Sequence, residues 1–234
     1  MVFDKIPDKG SAVGNCPFCD KEDHFFCHDS TGNWQCKVCL KEGNAYTFLS
    51  EHYDRCLKAT KKADYEVLSS QRDNLPWQAF RDMDLAYDRD RHTWLIPLYN
   101  EDKALANLLR WDGFADEPKA YSTSACKNQH LFRGERIKSV GPIWICESWS
   151  SATAFEYMMS KAGLDMSTNS VVSATSAGMS FDSLAHRFKG REVYFVYDND
   201  PAGIDGQHKQ AEKLRKVAKA VHLVHWPSSF PPKY

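Results

Sequence analysis

Short apolar segments alternate with segments of helical period in the C-terminal part of the chain. The apolar segments have the length and the β-branched and aromatic content of buried strands, and polar, helix-forming stretches follow them. The predicted strands are Pro142–Cys146, Ser170–Ala174, Val193–Tyr197 and Val221–His225. The predicted helices begin near Ser150 or Ser151, at Phe181 and at Gln207. This alternation is typical of a parallel sheet covered by helices, so we expect an α/β fold here.

Acidic residues directly follow two of these predicted strands. Glu147 follows the first strand, and Asp198 and Asp200 follow Tyr197. Because parallel strands place their carboxyl ends at one edge of a sheet, where α/β proteins bind ligands, we expect the three carboxylates to converge. Like charges at short range repel unless a cation neutralises them, and oxygen-only ligands suit Mg²⁺ or Mn²⁺ better than zinc. The alternative for the two aspartates is a turn in which they cap the next helix.

The middle of the chain has a weaker pattern. Two strands joined by a polar turn are predicted at Trp94–Tyr99 and Ala104–Trp111, although the second also has the composition of a helix. The segment from Leu75 to Tyr87 is a candidate short helix. Residues Lys58–Asp73 are rich in lysine, serine and aspartate, and we expect them to form a tether. The chain is therefore predicted to contain a small N-terminal unit and a larger C-terminal one.

The N-terminal unit contains two CxxC motifs separated by sixteen residues, formed by Cys16, Cys19, Cys36 and Cys39. This spacing is typical of a four-thiolate zinc ribbon, in which each CxxC turn directs two thiolates at one tetrahedral zinc ion. A unit this small needs the metal in place of a large apolar core. Because the cysteines are paired in this way, metal binding in a reducing compartment explains them better than a secreted disulfide scaffold.

Other residues between the two motifs are candidates for ligands or for nucleic-acid contacts. His24, Cys27 and His28 could compete for the metal, but the CxxC pairs already fill four positions, so we expect a strand residue and two surface histidines. Trp34 is a candidate for stacking on a nucleic-acid base, and the alternative is that it packs in the small core.

Composition and charge narrow the choice of partner. The net charge is −1 and no segment resembles a signal peptide or a membrane span, so we expect a cytoplasmic protein that binds no membrane. Between Cys16 and Ala45, five acidic residues outnumber three basic ones, which excludes phosphate attraction as the main role of this unit. From Lys103 to Lys138, seven basic residues outnumber four acidic ones, which indicates either a phosphate-binding groove or a solvated surface.

These motifs together resemble a known family. Glu147 after a strand, followed later by Asp198-Asn-Asp-Pro-Ala-Gly203, is similar to the Toprim domain, and the segment Cys146–Ala154 resembles the glutamate motif of phage and plasmid primases. The two CxxC motifs, followed by Gly43 and an aromatic helix, resemble the zinc-binding domain of bacterial and phage primases. The resemblance is specific because the zinc ribbon and the Toprim unit occur in one chain.

The resemblance implies a DNA-dependent primase of the phage helicase-primase type, which synthesises short RNA primers on a single-stranded DNA template. It implies a zinc-binding domain over residues 1–55, a linker over 56–85, the N-terminal part of an RNA polymerase domain over 86–141, and a Toprim fold over 142–234. NTPs and a replicative helicase, fused downstream or separate, are the other implied partners.

The resemblance also assigns roles to residues. One structural Zn²⁺ would be bound by the four cysteines of the CxxC motifs, and the catalytic Mg²⁺ or Mn²⁺ by Glu147, Asp198 and Asp200. The basic residues implied to face template or nucleotide phosphates are Arg110, Lys119 and Arg133. One departure is that Ser148 stands where the family usually has glycine. Two other functions stay open, namely a Toprim-type metal-dependent nuclease and a non-catalytic zinc protein that binds single-stranded DNA.

Overall fold

The structure is a computed structural model that describes residues 10–72, 74–113, 120–123, 129–175 and 179–227. It contains three four-stranded sheets. The first is antiparallel and comprises β1 (Ser11–Gly14), β2 (Phe25–His28), β3 (Trp34–Cys36) and β4 (Glu42–Gly43). The second is also antiparallel and comprises β5 (Ala86–Asp88), β6 (Thr93–Tyr99), β7 (Leu105–Trp111) and β8 (Ala120–Ser122).

The third sheet is parallel and has the order β10-β9-β11-β12. Its strands are β9 (Ile143–Cys146), β10 (Ser170–Ser173), β11 (Glu192–Val196) and β12 (Ala220–Leu223). The helices in the described ranges are α1 (Ala45–Ala59), α2 (Lys62–Ser70), α3 (Trp77–Arg81), α4 (Trp149–Lys161) and α5 (Pro201–Leu214), with short 3₁₀ helices at Gly134–Arg136 and Asp182–Phe188. The expected α/β fold with an N-terminal β-rich zinc ribbon is thus confirmed.

Helix α1 follows the last strand of the zinc ribbon, and a capping box at Asn44 marks its start. The Asn44 side chain accepts hydrogen bonds from the backbone N–H groups of Tyr46 and Thr47, and the Asn44 N–H donates to Thr47 Oγ1 at 2.7 Å. These bonds satisfy backbone donors that a helix N-terminus leaves without partners. The first part of α1 contributes Phe48 to the core of the zinc ribbon, and its second part buries Tyr53 against the β5–β7 region of the second sheet.

The prediction of a tether at residues 58–73 is wrong, because most of this segment forms helix α2. Tyr65 and Leu68 of α2 are buried in the largest apolar core, where they pack with residues of β6, β7 and α4. The segment looked like a tether because it is rich in lysine, serine and aspartate, and the rest of the core that Tyr65 and Leu68 join comes from distant parts of the chain. The domain limits themselves remain a prediction.

Residues of the second sheet pack against the start of α4, which fixes the region that follows β9. The rings of Trp111 on β7 and Trp149 on α4 meet edge to face at 5.6 Å. The other face of the parallel sheet is covered by α5 and the 3₁₀ helix at Asp182–Phe188, which bury Phe181, Phe188 and Ala211. None of the helices in the described ranges combines the length and apolar character that a bilayer crossing requires.

Candidate active site and zinc centre

The parallel sheet brings the three predicted acids to one edge. Strands β9 and β11 are neighbours, and Cys146 pairs with Val196 at the end of their shared register. Glu147 follows Cys146 directly, and Asp198 comes two residues after Val196, so both leave the sheet at its carboxyl edge. The convergence predicted from strand ends is what this topology produces.

Glu147 contacts the loop that carries the aspartates. The backbone N–H of Asp198 donates a hydrogen bond to Glu147 Oε2 at 3.3 Å. A Cβ added at Gly203 would lie 2.8 Å from Glu147 Oε2 and 2.4 Å from the carbonyl oxygen of Asp198. Because Gly203 has no side chain, the start of α5 can lie close to the Asp198 loop and to Glu147. Any side chain at position 203 would prevent this approach.

Asp200 is the N-cap of α5. Its Oδ1 atom accepts a hydrogen bond from the backbone N–H of Gly203 at 2.7 Å, and Pro201 occupies the first turn, where it needs no hydrogen-bond donor. The capping geometry named as an alternative is therefore present, and it places the Asp200 carboxylate at the same sheet edge as Glu147. Capping and a place in an acidic site are thus compatible at this residue.

The three acids differ in exposure. Asp198 is exposed, whereas Glu147 and Asp200 are half-buried. Within the part of the chain that the structure describes, their carboxylate oxygens do not form a set in which all lie within 4.8 Å of one another. Their donor atoms are all oxygen, the type that hard divalent cations bind. The donor atoms at this edge are therefore of the kind that Mg²⁺ or Mn²⁺ binds.

The negative charge of this edge contributes to raised pKa values of two buried groups beside it. Burial, with a smaller contribution from Glu147, raises the pKa of the Tyr197 hydroxyl, and burial, assisted by Asp198, raises the pKa of the Cys146 thiol. Both side chains stay neutral at neutral pH. As protonated groups beneath the edge, they add no further anion to it.

Ser148, where the family pattern has glycine, is the N-cap of α4. Its Oγ accepts a hydrogen bond from the backbone N–H of Ser151 at 3.2 Å and lies 2.8 Å from the Ser151 hydroxyl. The helix thus begins one residue after Ser148, slightly earlier than predicted. The serine adds a cap that glycine could not provide with a side chain.

The predicted basic residues have three different outcomes. Arg110 is exposed on β7, and Lys119 lies outside the described residues. Arg133 is largely buried, and its Nη1 lies 2.5 Å from Glu156 Oε2 in an ion pair, while burial lowers the pKa of the guanidinium. This corrects the expectation that Arg133 faces phosphates, because its guanidinium is held by a carboxylate of α4.

A cleft of about 300 Å³ was not predicted, and one of its lining residues lies at the same end of the parallel sheet as the acids. It includes Thr175, which follows β10, the neighbour of β9 at the same end of the sheet. The residues that line it are Leu109, Ala120, Ser122, Gln129, Thr175, Met179 and Ser180. No sequence pattern indicates it, because its lining residues come from parts of the chain that are far apart in the sequence.

The four predicted cysteine ligands lie together in the zinc ribbon. Their sulfur atoms all lie within 4.8 Å of one another, with Cys16 Sγ 3.9 Å from Cys39 Sγ and Cys19 Sγ 3.7 Å from Cys36 Sγ. Zinc–sulfur bonds of 2.3 Å in a tetrahedron give sulfur–sulfur distances of about 3.8 Å, so the set fits one zinc ion.

Backbone donors in the second CxxC turn favour the thiolate form. The N–H groups of Val38 and Cys39 each donate to Cys36 Sγ at 3.4 Å. Burial alone would raise the pKa of Cys36, but these donors, together with hydrogen bonds from the Cys39 and Cys16 side chains, outweigh it and lower the pKa to about 6. Burial raises the pKa of Cys16 to about 12. At neutral pH the set therefore offers a thiolate, the form that binds zinc.

The remaining residues of the ribbon have structural positions. Cys27 lies in β2, His24 and His28 are exposed, and none of the three belongs to the sulfur cluster. Trp34 is 5% exposed, stacks on Phe25 at 5.4 Å and donates its indole N–H to the Asn44 carbonyl at 2.7 Å. Of the two roles left open for Trp34, the structure favours packing, because the ring is enclosed by the ribbon core.

The fold is similar to that of several solved primase structures. No protein-family model and no curated protein matches the chain. The zinc-binding and RNA polymerase domains of the Aquifex aeolicus primase superpose with a TM-score of 0.59 at 16% identity, covering 99% of this chain and 76% of that one.

Two further structures extend the likeness. The primase fragment of the bacteriophage T7 primase-helicase protein gives a TM-score of 0.54 at 16% identity, covering 92% of this chain and 90% of that one. The E. coli primase catalytic core gives 0.56 at 12% identity, covering 80% and 72% respectively. At these identities the likeness shows a shared fold, which confirms the resemblance stated from the sequence motifs at the level of architecture.

Proposed function

We propose that this chain is a DNA primase that joins ribonucleotides on a single-stranded DNA template, with its reaction centre at the carboxyl edge of the parallel sheet. The observation that carries the proposal is the contact of Glu147 with the Asp198 loop, at 3.3 Å, in a fold shared with primases. Neither the acids nor the fold alone would be enough, because helix-capping acids and Toprim-like sheets both occur without this activity.

The acids have distinct tasks in this proposal. Mg²⁺ usually keeps several waters and binds one or two carboxylates together with substrate phosphates. In this proposal exposed Asp198 would contact an ion that also binds the nucleotide, and the half-buried Glu147 and Asp200 would be further ligands. Bound there, two Mg²⁺ ions would offset charge on the transferring phosphate and favour deprotonation of the primer 3′-hydroxyl. The protein groups bind and orient these ions.

The zinc ribbon and basic residues have supporting roles in the proposal. The ribbon would contact the template through groups other than Trp34 and without net phosphate attraction. Arg110 and Lys119 would contact template or nucleotide phosphates. A replicative helicase is the proposed partner, since one of the structures with the same fold is a fragment of a primase-helicase protein. A cytoplasmic location is part of the same proposal.

The test uses variants that remove charge and keep shape. Glu147→Gln, Asp198→Asn and Asp200→Asn are assayed for RNA oligomers on a library of single-stranded templates with Mg²⁺ and all four NTPs. Asparagine at position 200 still caps α5, so lost activity there reports the lost charge. Asp205→Asn is the matched control, because Asp205 is an exposed acid of the same helix that pairs with Lys209.

We expect primer synthesis to fall by a factor of about 10² or more in the three variants and to be unchanged in the control. Zinc content should stay constant throughout. Dinucleotide formation by Glu147→Gln at the unsubstituted rate would refute the assignment. Metal-dependent nicking of DNA without incorporation of NTPs would favour a nuclease, and DNA binding without any product would favour an accessory role.

A further inference from the structure

A second group of metal-ligating side chains lies outside both sites described above. His52 and Cys56 are one turn apart on α1, so they share a face of the helix, and Asp88 is the last residue of β5, against which α1 packs. All three are buried, with exposed fractions of 9%, 6% and 1%. Their ligand atoms all lie within 4.8 Å of one another.

The distances are close to those of a metal centre. His52 Nε2 lies 2.9 Å from Asp88 Oδ2 and 3.8 Å from Cys56 Sγ. In a tetrahedral zinc site, bonds are about 2.0 to 2.1 Å to nitrogen or oxygen and about 2.3 Å to sulfur. The nitrogen and oxygen ligands are then roughly 3.3 Å apart, and the nitrogen and sulfur ligands roughly 3.6 Å apart. Side-chain shifts of a few tenths of an ångström would therefore suffice to admit an ion.

Arg91 and Phe48 support this arrangement from outside. Arg91 Nη1 lies 2.9 Å from Asp88 Oδ2, and its backbone N–H donates to Asp88 Oδ1 at 3.3 Å. The Phe48 ring lies parallel to the His52 ring, with 6.3 Å between centroids. Carboxylates that bind metals are usually hydrogen-bonded themselves, and such partners hold the ligand in place. The Arg91 side chain is partly exposed, so solvent screens its positive charge.

We propose that His52, Cys56 and Asp88 form a second metal site for a borderline divalent cation such as Zn²⁺, with a water molecule as the fourth ligand. One nitrogen, one sulfur and one oxygen donor suit zinc and not the hard cations of the acidic edge. An ion there would join α1 to β5 by direct bonds. The proposal is independent of the proposed function, since it concerns metal content alone.

Binding at this site changes the protonation of its ligands. Burial, with a smaller effect of Asp88, raises the pKa of Cys56 to about 11, so the metal-free thiol is neutral. The ion replaces the thiol proton, and the Nε2 lone pair of His52 must face the metal. Binding therefore releases at least one proton, and the affinity increases with pH.

The test counts metal ions. The whole chain is loaded with a small excess of Zn²⁺, desalted at pH 8, and analysed for zinc per chain by inductively coupled plasma mass spectrometry. We expect about two zinc ions in the unsubstituted protein and about one in Cys56→Ser and His52→Gln. Cys27→Ser is the matched control, because Cys27 lies in the zinc ribbon outside both clusters, and it should keep about two.

Two outcomes would overturn the proposal. One zinc ion per unsubstituted chain would show that the cluster is a hydrogen-bonded contact without metal. Two zinc ions in Cys56→Ser would place the second ion elsewhere. Cobalt substitution gives a readout that folding defects alone do not produce, because Cys56→Ser should weaken the thiolate-to-cobalt absorption while circular dichroism stays unchanged.

Discussion

Replacing Gly203 by alanine tests the geometry of the acidic edge with a single carbon atom. The new Cβ would lie 2.4 Å from the Asp198 carbonyl oxygen and 2.8 Å from Glu147 Oε2. Because Cβ contacts essentially never fall below 3.0 Å, the start of α5 and the Asp198 backbone must separate by about 0.6 Å or more. Overpacking of this kind typically costs about 1 to 3 kcal/mol of folding free energy.

Helix propensity predicts the opposite change in stability, so the sign of the change in unfolding free energy distinguishes the two effects. Within a helix, alanine is favoured over glycine by up to about 1 kcal/mol, so helix propensity alone predicts that the variant is more stable. The close approach of Glu147 and Asp198 predicts that it is less stable. Urea unfolding followed by circular dichroism measures the difference in unfolding free energy.

Primer synthesis gives a second measurement on the same variant. Misplacement of catalytic groups by about 1 Å can cost on the order of 10² in rate, so we expect a 10- to 100-fold loss for Gly203→Ala. Ala202→Gly is the matched control, because Ala202 is an exposed neighbour in the same turn and its change should lower stability slightly without affecting activity. A Gly203→Ala protein with raised stability and full activity would refute the geometry.

Other predictions concern the ribbon, the first helix and the two arginines. Trp34→Phe should lower the stability of the ribbon by about 1 kcal/mol, through loss of the hydrogen bond to Asn44, and leave template affinity unchanged; reduced affinity with intact zinc would contradict this. Asn44→Ala removes the cap of α1 and should cost about 1 to 2 kcal/mol in urea unfolding. Arg133→Met leaves Glu156 without its buried partner and should cost about 3 kcal/mol; a change in nucleotide KM at unaltered stability would argue against it. Arg110→Ala should weaken DNA binding and lower its salt dependence without changing the melting temperature, as checked by binding titrations at several salt concentrations.

The sequence predicted the features that depend on local pattern. The carboxyl ends of strands are recognisable from apolar runs that stop at an acid, and parallel pairing then brings Glu147 and Asp198 to the same edge. The CxxC turns are equally local, so the zinc cluster followed from spacing. The elements around them were also close to prediction, for example β6 at Thr93–Tyr99 and β7 at Leu105–Trp111.

Features that depend on distant partners were not predictable in this way. The resemblance implied that Arg133 faces phosphates, and only the packing of α4 places Glu156 beside it. Trp34 could be assigned to either of two roles until the ribbon core was closed around it. His52 and Asp88 are thirty-six residues apart, and no sequence pattern connects them.

Helix α1 belongs to two apolar cores at once, with Phe48 in one and Tyr53 in the other. Its fifteen residues span roughly 22 Å without a break, so one continuous helix joins the ribbon core to the second sheet. Any reorientation of the ribbon relative to the second sheet must bend α1 or detach its C-terminal half from that sheet. In the proposed function, the position of the ribbon on a template strand would therefore be fixed relative to the second sheet. The length of α1 would set the distance between the two.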